Sequence, residues 1–229
     1  MKPSRHITTL IILFTMPYFA KAALILNETR VIYPEQFSQS SVKVENPGDL
    51  VFLAQAWIEN DKGREEERFT VYPPLTRLNA RSSTTLRIEK IDASKLPDDR
   101  ETMMWLNVKE IPQSQPVTKQ QLVVAFKTKI KIFYRPKKID PAMHNAMQKM
   151  AWHLAAGKII VTNPTPYHIV FNKVVVISAS NKKTEINADM VNPFSTLTLS
   201  VPVGLAAHAV DFNIINDFGG VSETQQISL

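Results

Sequence analysis

Gln121-Leu122-Val123-Val124-Ala125-Phe126-Lys127-Thr128-Lys129-Ile130-Lys131-Ile132-Phe133-Tyr134-Arg135 places an apolar or aromatic side chain at every even position except Thr128. Successive side chains of a strand point to opposite faces, so Leu122, Val124, Phe126, Ile130, Ile132 and Tyr134 line a single face. A strand of this length extends about 50 Å, against a usual length of about 5 or 6 residues. It is therefore expected to overhang its own sheet and to offer an edge for pairing.

Upstream of this segment the chain reads as short strands broken by turn residues. Ala23–Val31 opens with Leu24 and Leu26, and Val42–Val44 ends at the Asn46-Pro47-Gly48 turn. Val51–Ile58 carries Trp57 and precedes a charged loop at Asn60–Arg68. Phe69–Tyr72 stops at Pro73-Pro74, and Thr84–Glu89 and Met103–Val108 complete a set of seven with the long strand. Downstream, Arg135-Pro136-Lys137-Lys138-Ile139-Asp140-Pro141 interrupts the pattern with two prolines and three cations, which marks a domain boundary between residues 23–138 and 139–229. Met143–Ala156 is rich in helix formers and reads locally as a helix, although pairing partners can override such a preference. Ile159–Thr162, Ile169–Ile177, Thr196–Val201 and Ala209–Ile215 read as strands of a second, smaller sandwich. The fold class is all-β, in two sandwich domains.

At the N-terminus Lys2 and Arg5 precede an apolar run from Ile7 to Ala20 that is too short to span a bilayer, and Ala20-Lys21-Ala22 has the small-x-small form of a cleavage site. Residues 1–22 are expected to be a secretory signal, and no later segment is apolar for long enough to cross a membrane. Removing Lys2, Arg5 and Lys21 halves the formal net charge of +6, too little for a nucleic-acid binder. The chain has no cysteine, which excludes a disulfide framework and thiolate chemistry. An exported, soluble protein without disulfides suits a bacterial periplasm.

Little in the sequence suggests an enzyme. His144, His153, His168 and His208 are scattered, without the close spacing of a metal-binding helix, and surface or interface placement is the expectation for His168 and His208. No Gly-x-Ser-x-Gly elbow is present, and no cofactor is implied.

The block Leu96-Pro97-Asp98-Asp99-Arg100-Glu101-Thr102-Met103-Met104-Trp105-Leu106-Asn107-Val108-Lys109-Glu110-Ile111-Pro112 resembles the signature of the periplasmic pilus-assembly chaperones of the PapD type. Ala54-Gln55-Ala56-Trp57-Ile58, Pro73-Pro74 with Arg77-Leu78, Thr128–Pro136, Asn163-Pro164-Thr165-Pro166-Tyr167 and Ile215-Asn216-Asp217-Phe218-Gly219-Gly220 extend the resemblance over the whole mature chain. It implies two immunoglobulin-like β-sandwiches in an L or boomerang, with the short connection after Pro112 resembling the short-loop branch of the family.

The resemblance also implies a function. The partner is a pilus subunit that lacks its last strand, and the chaperone lends its long strand to the open groove before delivery to an outer-membrane usher. Leu122, Val124 and Phe126 are the implied donor side chains, Arg30 and Lys131 the implied anchor for the subunit's terminal carboxylate, and Glu101, Arg135 and Asp217 an implied charge network between domains. By residue type alone, the apolar set reads equally as the chain's own core and the charged residues as solvated side chains. A pilus subunit or adhesin is the alternative, which a donor-strand extension and a cysteine pair would favour. Self-association of the free chain is left open.

Overall fold

The computed structural model describes residues 24–113, 124–139 and 145–229. The leader expected at residues 1–22 and the donor position Leu122 lie outside them. The first nine strands are β1 (Ile25–Leu26), β2 (Arg30–Pro34), β3 (Gln39–Asn46), β4 (Phe52–Asn60), β5 (Phe69–Tyr72), β6 (Leu75–Leu78), β7 (Ser82–Lys90), β8 (Thr102–Pro112) and β9 (Lys127–Arg135). They form a sheet of order β1-β3-β7-β5 and a second of order β2-β9-β8-β4-β6. Val42, Val44, Leu86 and Ile88 from the first sheet bury against Tyr33, Ile58, Met104, Leu106 and Ile132 from the second. Every one of these core positions keeps the period of two that a half-buried strand requires.

Two segments depart from the expectation. Ala23–Val31 is not one strand: Ile25 pairs with Glu45 in the first sheet, and Arg30 pairs with Lys131 in the second, in a parallel ladder. The chain changes sheets at the polar Asn27-Glu28-Thr29. The strand read as Gln121–Arg135 begins, within the described residues, at Lys127, whose partner on β8 is Lys109. Beyond it Phe126 still accepts the Glu110 N–H through its carbonyl (3.0 Å), and Val124–Phe126 lie outside the strand. β8 itself ends at Pro112, which has no N–H to offer a ladder.

The second sandwich is built from β10 (Ala151–Ala155), β11 (Lys158–Asn163), β12 (Ile169–Ser178), β13 (Lys183–Ile186), β14 (Met190–Val191), β15 (Ser195–Ser200), β16 (Ala207–Ile214) and β17 (Gln225–Ser228). Its sheets run β10-β11-β15 and β13-β12-β16-β17, with β14 added to β12. The helix expected at Met143–Ala156 is corrected: the described part is a 3₁₀ turn at Met147–Lys149 followed by β10. Pairing decides this, because Trp152 sits opposite Val161 and stacks on Phe171 and Phe212 with ring centroids 5.7 and 4.7 Å away. Burial of that indole outweighs the helix preference of the neighbouring alanines.

Each sandwich also contains a buried asparagine that ties its turns. Asn46 donates to the carbonyls of Leu50 and Asn79 (2.7 and 2.9 Å), and Asn163 to those of Tyr167 and Asn192 (2.7 and 2.9 Å). Both are read from sequence only as turn residues. In the fold each replaces several missing backbone partners at once.

Candidate functional site

The inner face of the β2–β9 ladder carries Val31, Tyr33, Ile130, Ile132 and Tyr134 into the core, so the intervening residues face outward by necessity. Those are Arg30 on β2 and Lys131, Phe133 and Arg135 on β9. Arg30 and Lys131, a hundred positions apart in the chain, are register partners in the parallel ladder. Two cations therefore stand side by side at the junction of the domains.

Their surroundings differ. Arg30 is buried; its Nη1 donates to the Ile215 carbonyl of the second domain (3.0 Å), and its guanidinium lies 5.7 Å from the Phe133 ring centroid. Arg30 Nε is buried with no hydrogen-bond partner among the described residues. Burial draws the Arg30 pKa down, against the pull of Asp217 and Glu101. Lys131 is more open: its Nζ lies 5.0 Å from the Trp105 ring centroid and 3.6 Å from Asp189 Oδ1 of the second domain. A cleft of about 450 Å³ opens beside Arg30, walled by Glu28, Ile32, Ser41, Asp217 and Phe218. It can take an anionic chain end while keeping that end in reach of a fixed guanidinium.

Glu101, Arg135 and Asp217 are brought together below this cleft. Arg135 donates to Glu101 Oε1 from Nε and Nη2 (2.9 and 2.7 Å) and to Asp217 from Nη1 and Nη2 (2.7 and 2.9 Å). Burial opposes the Arg135 charge, but the hydrogen bonds to Asp217 and the charge of Glu101 more than offset it and hold its pKa above the ordinary arginine value. The second Glu101 oxygen accepts the His168 backbone N–H (2.8 Å) and faces His168 Nδ1 (3.3 Å). Glu101 N–H in turn donates to the Pro166 carbonyl (2.9 Å). One carboxylate thus fastens the start of β8 to the loop before β12.

The sequence reading missed several partners here. His168 lies at the junction, its ring 5.3 Å from Phe133. Arg100 covers the Phe194 ring at 5.0 Å. Gly219, at φ +78°, passes so close to Thr29 that any side chain would strike its hydroxyl, which accounts for glycine at this crossing. These contacts join residues more than thirty positions apart, and no local pattern announces them.

Of the donor positions implied by the resemblance, Val124 and Phe126 are 51% and 62% exposed, and Leu122 is not among the described residues. Val124 and Phe126 share the phase of Ile130 and Ile132, which are 6% and 0% exposed. The even-numbered set thus passes from buried positions in β9 to exposed ones at Val124 and Phe126, with the exposed Thr128 between them. Among the described residues no cluster of histidine, aspartate and glutamate is arranged to hold a metal, and no helix is long and apolar enough to cross a membrane.

Comparison with known proteins places this geometry in a family. Residues 23–140 match the N-terminal domain model of the PapD pili and flagellar-assembly chaperones, and residues 145–226 match the PapD C-terminal domain model. The chain is 34% identical to a probable fimbrial chaperone of Escherichia coli, YadV, over 96% of both chains, and 34% identical to the Escherichia coli chaperone FimC over 89% of this chain and 83% of the relative. Among solved structures it superposes on YadV with a TM-score of 0.80 (33% identity, 91% of this chain and 100% of the other). It also superposes on a chain of the Salmonella enterica SafA pilin–SafB chaperone complex with a TM-score of 0.81 (28% identity, 90% and 96%). The relatives and both domain models are chaperones rather than pilins, which sets the subunit alternative aside. The chain belongs to the PapD family and is a pilus-assembly chaperone built from two immunoglobulin-like β-sandwiches.

Proposed function

We propose that this chaperone captures pilus subunits in the periplasm by lending them the segment that leads into β9, and hands them to an outer-membrane usher. Residues 1–22 serve as the export signal, residues 23–138 and 139–229 form the two domains, and no catalytic turnover is involved. The observation that carries the reading is the exposure of Val124 and Phe126 in phase with the buried Ile130 and Ile132. A subunit with an open core supplies the missing opposite face. Each side chain so covered contributes about 1.5–3 kcal/mol, and backbone pairing along the edge adds direction.

Register needs a fixed point, since a slip of one residue turns every donor side chain to the wrong face. Arg30 and Lys131 supply it by holding the subunit's terminal carboxylate, Arg30 with a guanidinium whose Nε has no partner among the described residues and Lys131 with an ammonium beside it in the ladder. Hydrogen bonds to charged groups contribute about 1.5–3 kcal/mol each. Glu101, Arg135 and Asp217 hold the angle of the cleft rather than touch the subunit.

Co-expression with a candidate subunit tests the reading. Wild type is expected to yield a soluble one-to-one complex without nucleotide, and Arg30→Ala and Lys131→Ala to fold but lose it. Retained capture by both variants overturns the anchor.

A further inference from the structure

We propose that Asp189 is a place-holding carboxylate that occupies Lys131 in the free chaperone and sets subunit affinity by competing with the incoming chain end. The inference rests on the anchoring role given to Lys131 above and adds a residue to that site.

Asp189 lies between β13 and β14 in the second domain. Its backbone is pinned, since its carbonyl accepts the Phe171 N–H at 2.8 Å. Its side chain is 82% exposed and brings Oδ1 to 3.6 Å from Lys131 Nζ. That distance is an ion-pair contact beyond hydrogen-bond length, so the attraction is weak and easily given up. The loop is thus fixed while the carboxylate is free to swing.

The two acids engaged by Arg135 cannot play this part. Asp217 is held by two bonds from Arg135, and Glu101 is saturated by Arg135 and His168. Arg30 is held by a neutral carbonyl, which an anion outcompetes readily. Among the junction cations Arg30, Lys131 and Arg135, only Lys131 faces a carboxylate that water can take back at little cost. Asp189 is the carboxylate that faces Lys131, while Glu28 adds a further negative charge on the cleft wall beside Arg30. An arriving carboxylate must therefore displace Asp189, and an anion that brings no strand with it gains little by doing so. The device favours chain ends attached to a pairing strand over small carboxylates in solution.

The test uses the mature chain and a fluorescein-labelled 15-residue peptide of alternating valine and serine, made with a free C-terminal carboxylate and, separately, as the amide. Binding is read by anisotropy, with thermal melts confirming that each variant is folded. Asp189→Asn is expected to tighten the free acid about two- to fivefold and leave the amide unchanged. Lys131→Met is expected to erase the difference between acid and amide. If Lys131→Met erases it but Asp189→Asn leaves the acid unchanged or weaker, the place-holder is refuted and the anchor stands. If Lys131→Met preserves the difference, or wild type shows none, the anchor fails and the place-holder falls with it.

Discussion

Ile130–Arg135 and Val124–Lys129 belong to one alternating sequence, interrupted at Thr128, and their apolar residues have opposite fates. In the first, Ile130, Ile132 and Tyr134 disappear between two sheets. In the second, Val124 and Phe126, of the same even-numbered set, are exposed and lie outside the strand. The difference comes from what lies opposite rather than from the residues themselves. The β8–β9 ladder ends at Lys109↔Lys127, so the later residues are held in a sheet while Val124–Phe126 lie outside it. Periodicity identifies a face, and only the neighbouring elements decide whose core that face belongs to.

The sharpest way to break this comparison is to place a charge in each stretch. Ile132→Asp puts a carboxylate at a fully buried position and is expected to cost about 4 kcal/mol or more, leaving the first domain unfolded in a denaturant titration. Phe126→Asp alters an exposed residue and is expected to shift stability by no more than about 0.5 kcal/mol while abolishing subunit capture. Comparable losses of stability in the two variants would make Phe126 part of the chain's own core.

Next in size is the junction beneath the cleft. Arg135→Ala strands Glu101 and is expected to cost about 3–5 kcal/mol, visible as a lowered Tm. Lys131→Ala, on the same outer face of β9, breaks a long contact with Asp189 and the approach of Nζ to the Trp105 ring, and is expected to cost about 1 kcal/mol. Two basic residues four apart on one strand would thus separate into a structural role and a binding role.

The smallest expected effect sits at the border between the stretches, where Glu110 N–H donates to the Phe126 carbonyl and Glu110 Oε2 accepts the Leu24 N–H. Burial, partly opposed by the backbone hydrogen bonds, raises the Glu110 pKa. A carboxyl whose pKa is higher in the folded chain costs stability as pH rises from its ordinary value through the raised one. Glu110→Gln is therefore expected to raise Tm slightly at neutral pH, with the gain vanishing below the ordinary carboxylate range.

Much of this was legible in the sequence, and the exceptions have physical reasons. Strands such as Val51–Ile58 and Ile169–Ile177 announce themselves through apolar runs ended by turn residues. The sheet change at Asn27–Thr29 does not, because both halves alternate in the same way and only their partners differ. β10 was hidden by the helix preference of its alanines, which Trp152 overrides by packing on Phe171 and Phe212. Charged candidates were named through family resemblance, since an isolated arginine or lysine has no periodic signature. His168 was expected only at the surface or an interface and Asp189 was not singled out, because their contacts with Glu101 and Lys131 form only across the domain junction.

Because the sequence contains no cysteine, Phe126→Cys gives a single attachment point for an environment-sensitive dye. Titrating the labelled chaperone with a pilus subunit reports directly on who covers that face. Water-like emission from the free chain, moving to the blue and saturating at one subunit per chaperone, is the expected result. A complex that forms at that stoichiometry while the dye stays in water would contradict strand lending.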